Sequence, residues 1–521
     1  MSLKITIGSR GSDLALWQAE HVKRLLAGIG IETEIKVINT QGDKIQNIGF
    51  DKMEGKGFFT KEIEAELLEG SIDLAVHSHK DLETTQPTGL CIAAVPERED
   101  ASELLLIRKE SMEPSQLFSL KNGAIVGTSS ARRKNQLKLF RPDVEIKDLR
   151  GNVPTRINKL RDGNYDAILL AKAGVSRLEL DLSDLHVEEL DPRHFVPAPA
   201  QGALALQVRE EDLELRDKLS LLNTQEVDLV GLERAILKEF QGGCQVPLGV
   251  HANRKGNGIH LWASAARDWE NAPKRIYMQG SDPEELADRA STLLRSEERS
   301  SVFISRDLDD KSIFKKLLEE NGLKVEGNSL IRTKAISLEE VPEYERIFFA
   351  SKNGVQHFFE QYQGPAITRA DAIGPGTASA LKALGVEVGF IGDGPDTALI
   401  GTEYSKRLKS DKVLFVTAEQ GSRKIQNALP QNQVLELIVY RSAQLDPDQI
   451  DAGILVFTSP SNVQAYFEKN ELTEDQKVIA IGTTTKETLL ELGVGSVEIP
   501  WASHELALAD AVLSSINGND Q

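Results

Sequence analysis

Sulfur is nearly missing from this chain. Its 521 residues include 2 cysteines, Cys91 and Cys244, too few for a disulfide framework, so a reducing cytoplasm is the expected setting. The opening "MSLKITIGSR" alternates straight into a strand and lacks the apolar run of a signal peptide. No stretch approaches the roughly 18 apolar residues of a membrane span. Positive charge is in deficit as well: the formal net charge of −19 argues against nucleic acid or an anionic membrane surface as a partner. What remains, 40% hydrophobic and 27% charged, is the balance of ordinary soluble domains, about three to five of them at this length.

The charge is uneven. Lys121–Arg177 contains 13 Lys and Arg against 5 Asp and Glu. A basic island in an acidic chain suggests a small anionic ligand held locally, although a solvated basic face is the commoner cause of such runs.

Helical and strand periodicities alternate from the start. A strand at Leu3–Gly8, a helix capped by Ser12, a strand at Glu34–Ile38, a helix near Thr60–Glu69 and the apolar "IDLAVHS" predict an α/β domain with a largely parallel sheet. Strand "GAIVGTSS", helix "ARRKNQLKLF", strand "VEIKDLR", helix "VPTRINKLRDG" and strand "YDAILLAKAGV" predict a second. "PAPAQGALALQVR" then reads as a return to the first domain, and a helix around Asp228–Phe240, the alternating "GIHLWASAAR" and a helix near Pro283–Arg295 as a small α+β unit. Cys91 reads as a buried strand residue. Beyond residue 300 the chain repeats itself at an offset of 108: Phe349/Phe457, Ser351/Ser459, Gly374/Gly482, Thr377/Thr485 and Gly385/Gly493 pair without a gap. The repeat predicts two related α/β units whose strand–turn–helix corners carry hydroxyls.

Cys244 sits in "FQGGCQVPLG", between Gly242-Gly243 and Pro247. That is an exposed, permissive bend, the place for a thiol that something must reach. In "GTSSARRKNQL" a strand ends, hydroxyls fill the turn and a helix begins, a ready anion site. Arg132 and Arg133 lie in that first helical turn, unfavourably for the dipole unless an anion sits there. Arg10, Arg150, Arg156 and Arg177 also follow strands, at the edge where open α/β sheets bind ligands. Any one of them alone is better explained as a surface ion pair; six together favour a cleft for several carboxylates. In "AVHSHKDLE", Asp81 could stabilise positive charge that arises during a reaction, or simply pair with Lys80 or an arginine. A metal on His77 and His79 is disfavoured for want of further ligands at suitable spacing, and "AIGPGTASAL" lacks the tail of a phosphate loop.

The segments "SRGSDLALWQA", "GKGFFTKE", "AVHSHKD", "GTSSARRKNQL", "LRGNVPTR", "AKAGVSRL", "QGALALQ" and "QGGCQVPLG" together resemble the hydroxymethylbilane synthase (porphobilinogen deaminase) family, over residues 1 to about 297. The paired FxS and GxxT corners of residues 300–521 resemble the uroporphyrinogen-III synthase family. The first resemblance implies a dipyrromethane cofactor on Cys244, to which four porphobilinogens are added with loss of ammonia before 1-hydroxymethylbilane is released. Asp81 matches the aspartate that stabilises positive charge on pyrrole nitrogen. Arg10, Arg132, Arg133, Arg150, Arg156 and Arg177 match binders of the pyrrole acetates and propionates. Ser12, Lys80, Thr128, Ser129 and Ser130 match other contacts, Gly151 is expected to bind the cofactor and Gln201 the substrate, and Lys56 matches a mobile flap. Glu83 stands where the family usually has proline. The second resemblance implies cyclisation of the bilane with inversion of ring D, Tyr440 matching a tyrosine suspected of helping hydroxyl departure. Thr377, Ser459, Thr484 and Thr485 match hydroxyls on the cleft, although turn and cap chemistry explains each of them equally well.

The implied architecture is two periplasmic-binding-protein-like α/β domains plus a small α+β domain, followed by two flavodoxin-like α/β units. Its expected bounds are 1–100 with 198–222, 101–197 and 223–297 for the first three parts, then 300–335 with 441–521, and 336–440. Two other readings stay open: an anion-binding two-domain sensor for the first half, and a non-catalytic docking module for the second.

Overall fold

The computed structural model describes residues 3–40, 60–240, 246–296, 300–338, 340–445 and 450–516. The chain divides into two compact units, Met1–Ser296 and Glu297–Gln521. Among the described residues no helix is long and apolar enough to cross a membrane.

In the first unit, β1 (Leu3–Arg10), β2 (Ile31–Ile38), β3 (Leu74–Ser78) and β4 (Leu90–Ala94) begin one sheet. The chain then leaves through residues 95–102 to build β5 (Glu103–Arg108), β6 (Ile125–Gly127), β7 (Glu145–Lys147), β8 (Ala167–Ala171) and β9 (Leu185–Leu190), and returns through residues 191–203 as β10 (Leu204–Arg209). The sheet orders are β2-β1-β3-β10-β4 and β7-β6-β8-β5-β9. In each, three parallel strands meet one antiparallel strand, β10 or β5, and that strand is the one a crossover delivers. The carboxyl ends of β1, β3, β6 and β8 therefore carry the loops in which the sequence places its candidate ligand residues.

The crossovers touch. Glu99 N–H donates to the Gly202 carbonyl at 3.2 Å. Gly202 has φ +86, and a Cβ there would lie 2.2 Å from the Glu99 carbonyl oxygen, so only glycine fits. Ala200, two residues earlier, is held at φ 60 although it is not glycine.

The third part of this unit is an antiparallel meander of β11 (Leu248–Lys255), β12 (Gly258–Ala265) and β13 (Lys274–Gly280). Helices Val227–Glu239 and Pro283–Arg295 bury one face of it around Ile236, Val250, Leu261, Ile276 and Leu286. Asp282 caps the second helix, with Pro283 pre-set at its first position. Glu233 ties this part to both crossovers. Its fully buried carboxylate accepts two hydrogen bonds from the Arg98 guanidinium, at 2.8 and 2.9 Å, and one each from the Ala200 and Ala252 amides.

Two local expectations change. The stretch 165–175, read as one strand, stops at Ala171, opposite Glu103 of β5. With no further ladder partner, Lys172 N–H turns to the Ser102 carbonyl and a short helix, Lys172–Ser176, follows. Cys91 lies in β4 but is only half-buried, with its thiol pKa raised by the burial it has.

In the second unit, β14 (Ser301–Ile304), β15 (Lys324–Gly327) and β16 (Ile331–Ala335) precede β17 (Arg346–Phe349), β18 (Arg369–Ala372), β19 (Glu387–Ile391), β20 (Val413–Ala418) and β21 (Val434–Gln444). β22 (Ile454–Phe457) and β23 (Lys477–Ala480) follow. The two sheets run β15-β14-β22-β23 and β16-β21-β20-β17-β18-β19. The repeat is structural. Strands β17 and β18 and helices Lys352–Phe359, Pro375–Ala383 and Thr397–Ser405 recur 108 residues on as β22 and β23 and helices Pro460–Phe467, Thr483–Glu491 and Glu505–Ser515. Ser351 and Ser459 cap equivalent helices at φ −166 and −163. Gly385 and Gly493 both turn the chain at positive φ, +78 and +87.

The strand order corrects the flavodoxin-like expectation. Counted from β17, the larger sheet runs 3-2-1-4-5 and not the flavodoxin 2-1-3-4-5. The smaller sheet fills the same places, with β14 and β15, from the beginning of the unit, standing where β20 and β21 stand in the larger one. The expected bounds at 335/336 and 440/441 also fall inside a ladder: β16 pairs antiparallel with residues 440–444 of β21, so 331–335 belong to the larger sheet.

Removing Glu233 leaves a buried guanidinium and two buried amides without acceptors, an arrangement that typically loses about 3–5 kcal/mol. Glu233→Ala is therefore expected to unfold at clearly lower urea concentration than the parent chain. An unchanged midpoint in urea titration would show that the crossovers hold without it.

Candidate functional site

Arg10 ends β1, and Ser12 behind it caps helix Asp13–Gly28, accepting from the Ala15 amide. β3 runs into one turn of 3-10 helix at His79–Asp81, which leaves Lys80 half-buried and Asp81 exposed. Lys80 Nζ donates to Gln201 Oε1 at 3.2 Å, and the fully buried Gln201 passes its own Nε2–H to the Ala101 carbonyl. Lys80 thus bridges to both crossovers.

After β6, Thr128 Oγ1 accepts from the Ser130 amide, and Ser129 Oγ exchanges two hydrogen bonds with the Leu149 backbone. Ser130 caps helix Ala131–Phe140 by accepting from the Arg133 amide. Three of these predicted contacts are thus also the local scaffold of their turn. Gly151 has φ +117, and its carbonyl accepts from Arg156 Nε at 2.7 Å.

The anion that permits cations in the first turn of that helix is internal. Glu103, the fully buried first residue of β5, accepts from Arg132 Nη2 at 2.5 Å and from Arg133 Nε and Nη2 at 3.1 and 2.7 Å. The remaining Nη1 groups donate to the Val196 and Leu169 carbonyls. The two guanidiniums hold the Glu103 carboxyl down at about 2. Sequence reasoning missed Glu103, because a glutamate heading the apolar "ELLLIR" looks like a solvated strand end.

A cavity of about 110 Å³ opens between the carboxyl edges of the two sheets, and Lys80, Arg133, Arg156, Arg177, Gln18 and Ser78 are among its lining side chains. Arg177 is buried over the Trp17 ring, 5.7 Å from its centroid, and donates to the Gly202 carbonyl at 2.7 Å. Gln18, which the sequence did not single out, donates to Ser78 Oγ at 2.9 Å. The cations crowd one another. Burial, with Arg133 and Arg150 close by, holds the Arg156 guanidinium down to about 10, and Asp81 partly offsets this. Lys80 and Arg177 lie below their ordinary values for the same first reason, burial. Such a set can accept several carboxylates at once. Arg10, Arg132 and Arg150 are not among the residues lining this cavity. Lys56 and Cys244 lie outside the described residues.

In the second unit, Tyr440 on β21 is buried, and its hydroxyl lies 3.0 Å from Ser351 Oγ at the head of helix Lys352–Phe359. Burial raises the phenol pKa, and the Ser351 hydrogen bond opposes the rise. Ser459 makes the matching cap on Asn462, and Thr377 and Thr485 are buried on their helices. Thr484 is half-buried, 3.5 Å from Thr397 across the two lobes. The expected hydroxyls are therefore divided between cap positions, helix packing and one lobe-to-lobe contact.

Beside the cavity, His77 and His79 are buried neutral, their pKa values lowered to about 4 and about 3, mainly by loss of solvent. His77 Nε2 pairs with Gln207 Oε1. Among the described residues no group of three or more His, Cys, Asp or Glu could hold a metal ion. Both histidines titrate near 6.5 when unfolded, so the stability they carry is complete above that pH and is lost as pH falls towards their folded values. Two protons at about 1.4 kcal/mol each predict a loss of up to about 2.8 kcal/mol per pH unit below pH 6. Urea unfolding followed at pH 7 and pH 5 checks this, with His79→Gln expected to flatten the slope.

Known sequence families match both units. The family model described as "Porphobilinogen deaminase, dipyromethane cofactor binding domain" matches residues 5–217, and "Porphobilinogen deaminase, C-terminal domain" matches 228–295. "Uroporphyrinogen-III synthase HemD" matches residues 312–506. The porphobilinogen deaminase of Nitratidesulfovibrio vulgaris (strain DP4) is 48% identical over 258 residues, covering 49% of this chain and 80% of that protein. The porphobilinogen deaminase of Geobacillus kaustophilus (strain HTA426) is 43% identical over 306 residues, 58% of this chain and 97% of that one. Among solved structures, a uroporphyrinogen-III synthetase from Helicobacter pylori 26695 aligns at 21% identity and TM-score 0.32, over 42% of this chain and 100% of that one.

Proposed function

The chain belongs to the porphobilinogen deaminase family and carries a uroporphyrinogen-III synthase domain behind it, and we propose how its residues divide the work of the two enzymes. The protein is a bifunctional enzyme of tetrapyrrole biosynthesis, and the first half uses a dipyrromethane cofactor. The observation that carries the assignment is the crowding of Lys80, Arg133, Arg156 and Arg177 around one cavity. Burial and neighbouring guanidiniums lower the proton affinity of Lys80 and Arg156, a setting that fits a group bearing several carboxylates, as a dipyrromethane does.

In this reading Cys244 holds the cofactor through its sulfur, and Lys80, Arg133 and Arg150 bind its acid side groups. Bound there, the cofactor supplies the primer to which porphobilinogen units are added. Arg156 and Arg177 grip the acetate and propionate of incoming substrate, with Arg10, Ser12 and Lys56 around them. Asp81, exposed at the end of β3 and close enough to influence Lys80 and Arg156, faces the positive charge that develops on a pyrrole nitrogen as ammonia leaves. Arg132 contributes by anchoring Glu103. Both reactions run in the cytoplasm, consistent with a chain so poor in cysteine.

The second half takes hydroxymethylbilane and closes it to uroporphyrinogen III. We assign Tyr440 to hydroxyl departure, with Ser351 accepting from the Gly354 amide and thus free to donate to the phenol oxygen. Ser459, Thr484 and the free N–H groups of the flanking helix ends hold the folded chain.

Cys244→Ala is expected to give a folded protein without the added primer mass and without bilane production. A wild-type mass equal to the bare polypeptide would refute the tether. The same variant, supplied with synthetic hydroxymethylbilane, should still yield the III isomer, whereas only the I isomer would mean that the second half is inactive. Asp81→Asn should retain the primer mass but lose at least about 100-fold in turnover, the scale of one well-placed electrostatic group; turnover near that of the parent would remove Asp81 from its role.

A further inference from the structure

We propose that Glu103 is a positioning residue for Lys80: a buried counter-charge that keeps the Lys80 side chain an ammonium beside two guanidiniums. Nothing in the proposed chemistry uses Glu103 directly, yet it holds Arg133, which lines the cationic cavity, with no solvent exposure and both oxygens engaged. Its three hydrogen bonds fix Arg132 and Arg133 from one side, while the Val196 and Leu169 carbonyls fix them from the other. Neither guanidinium can swing away from Lys80 to relieve repulsion.

The charged groups that act on Lys80 come from three elements. Asp81 stands in its own turn, Glu103 heads β5, and Arg132 and Arg133 lie on helix Ala131–Phe140. Gln201 on the return crossover adds a neutral acceptor. Two carboxylates thus balance two guanidiniums. Asp81 acts on Lys80 the more strongly of the two but is exposed to water, while Glu103 is wholly buried. Without Glu103, Lys80 would face two buried guanidiniums with Asp81 as its one remaining carboxylate among these groups. Burial and both guanidiniums already push its proton off, and the two carboxylates oppose them. A neutral Lys80 amine would accept no ligand carboxylate, so the proposal rests on the reading of Lys80 as a ligand contact.

The test reads Lys80 itself in the full-length protein as isolated. Reductive methylation with formaldehyde and cyanoborohydride across a pH series, followed by peptide mass analysis, gives the midpoint at which the Lys80 amine becomes reactive. Glu103→Gln should lower that midpoint by at least about one pH unit, and Glu103→Asp, which retains the charge, should restore it. A Lys80 midpoint in Glu103→Gln equal to wild type, or one equally lowered in Glu103→Asp, would overturn the proposal. So would a wild-type midpoint below about 8, whether or not Glu103→Gln folds, because Lys80 would then be largely neutral with Glu103 in place. Intact mass on the same samples keeps the two questions apart: a wild-type chain without primer mass counts against the proposed function, and the Lys80 midpoint decides the role of Glu103.

Discussion

A buried carboxylate met by fixed donors is the constraint on which the first unit depends. A solitary carboxylate or guanidinium deprived of water is unstable by several kcal/mol, and neither Glu103 nor Glu233 is solitary. Each is fully buried and each closes on guanidinium groups, Glu103 on Arg132 and Arg133, Glu233 on Arg98. Both act where the chain passes between sheets. Glu103 begins the strand that the outgoing crossover delivers, and Glu233 binds the Ala200 amide of the returning one. Of the two, Glu103 also holds Arg133, which lines the cationic cavity, so a buried carboxylate that orders the fold also orders a wall of that cavity.

This explains how an acidic chain assembles a basic site. The net charge of −19 describes the surface as a whole, whereas the cavity is built from cations at strand ends. Arg133 and Arg156 converge because their helices follow strands of one sheet, and Lys80 meets them from the other sheet. Their mutual repulsion is offset by hydrogen bonds to carbonyls: Arg133 donates to Leu169, Arg177 to Gly202 and Arg156 to Gly151. Backbone dipoles thus hold the cations before any ligand arrives, which is the preorganisation that electrostatic binding requires.

Much of this was legible in the sequence where the signal is local. Ser12 caps its helix because a hydroxyl there satisfies free amides, and the same logic is visible in the turn hydroxyls that end at Ser130. The repeat was legible because Gly385 and Gly493 answer one backbone demand and Ser351 and Ser459 another. What was hidden is non-local. The anion opposite Arg132 and Arg133 was read as a ligand, while the residue that fills the place, Glu103, lies about 30 positions away on a strand of the same sheet. The place of β14, and with it that of β15 beside it, depends on pairing with β22, more than 150 residues after β14, which periodicity does not report.

The two units solve opposite problems. The first must hold a heavily charged chain that keeps growing, and it gathers fixed cations around a small cavity. The second must fold a finished chain before closing it, so shape counts for more than charge. Its equivalent helices begin at Gly374 and Gly482, with extended backbones at φ −172 and −171 and no side-chain cap. A helix start without its own cap leaves amides available to another acceptor. At Gly482 that acceptor is already visible: the Pro395 carbonyl of the other lobe takes the Thr483 amide at 3.3 Å. The contact that closes one lobe on the other therefore occupies the Thr483 amide, so closing the lobes and offering that amide to any other acceptor are competing uses of one helix end.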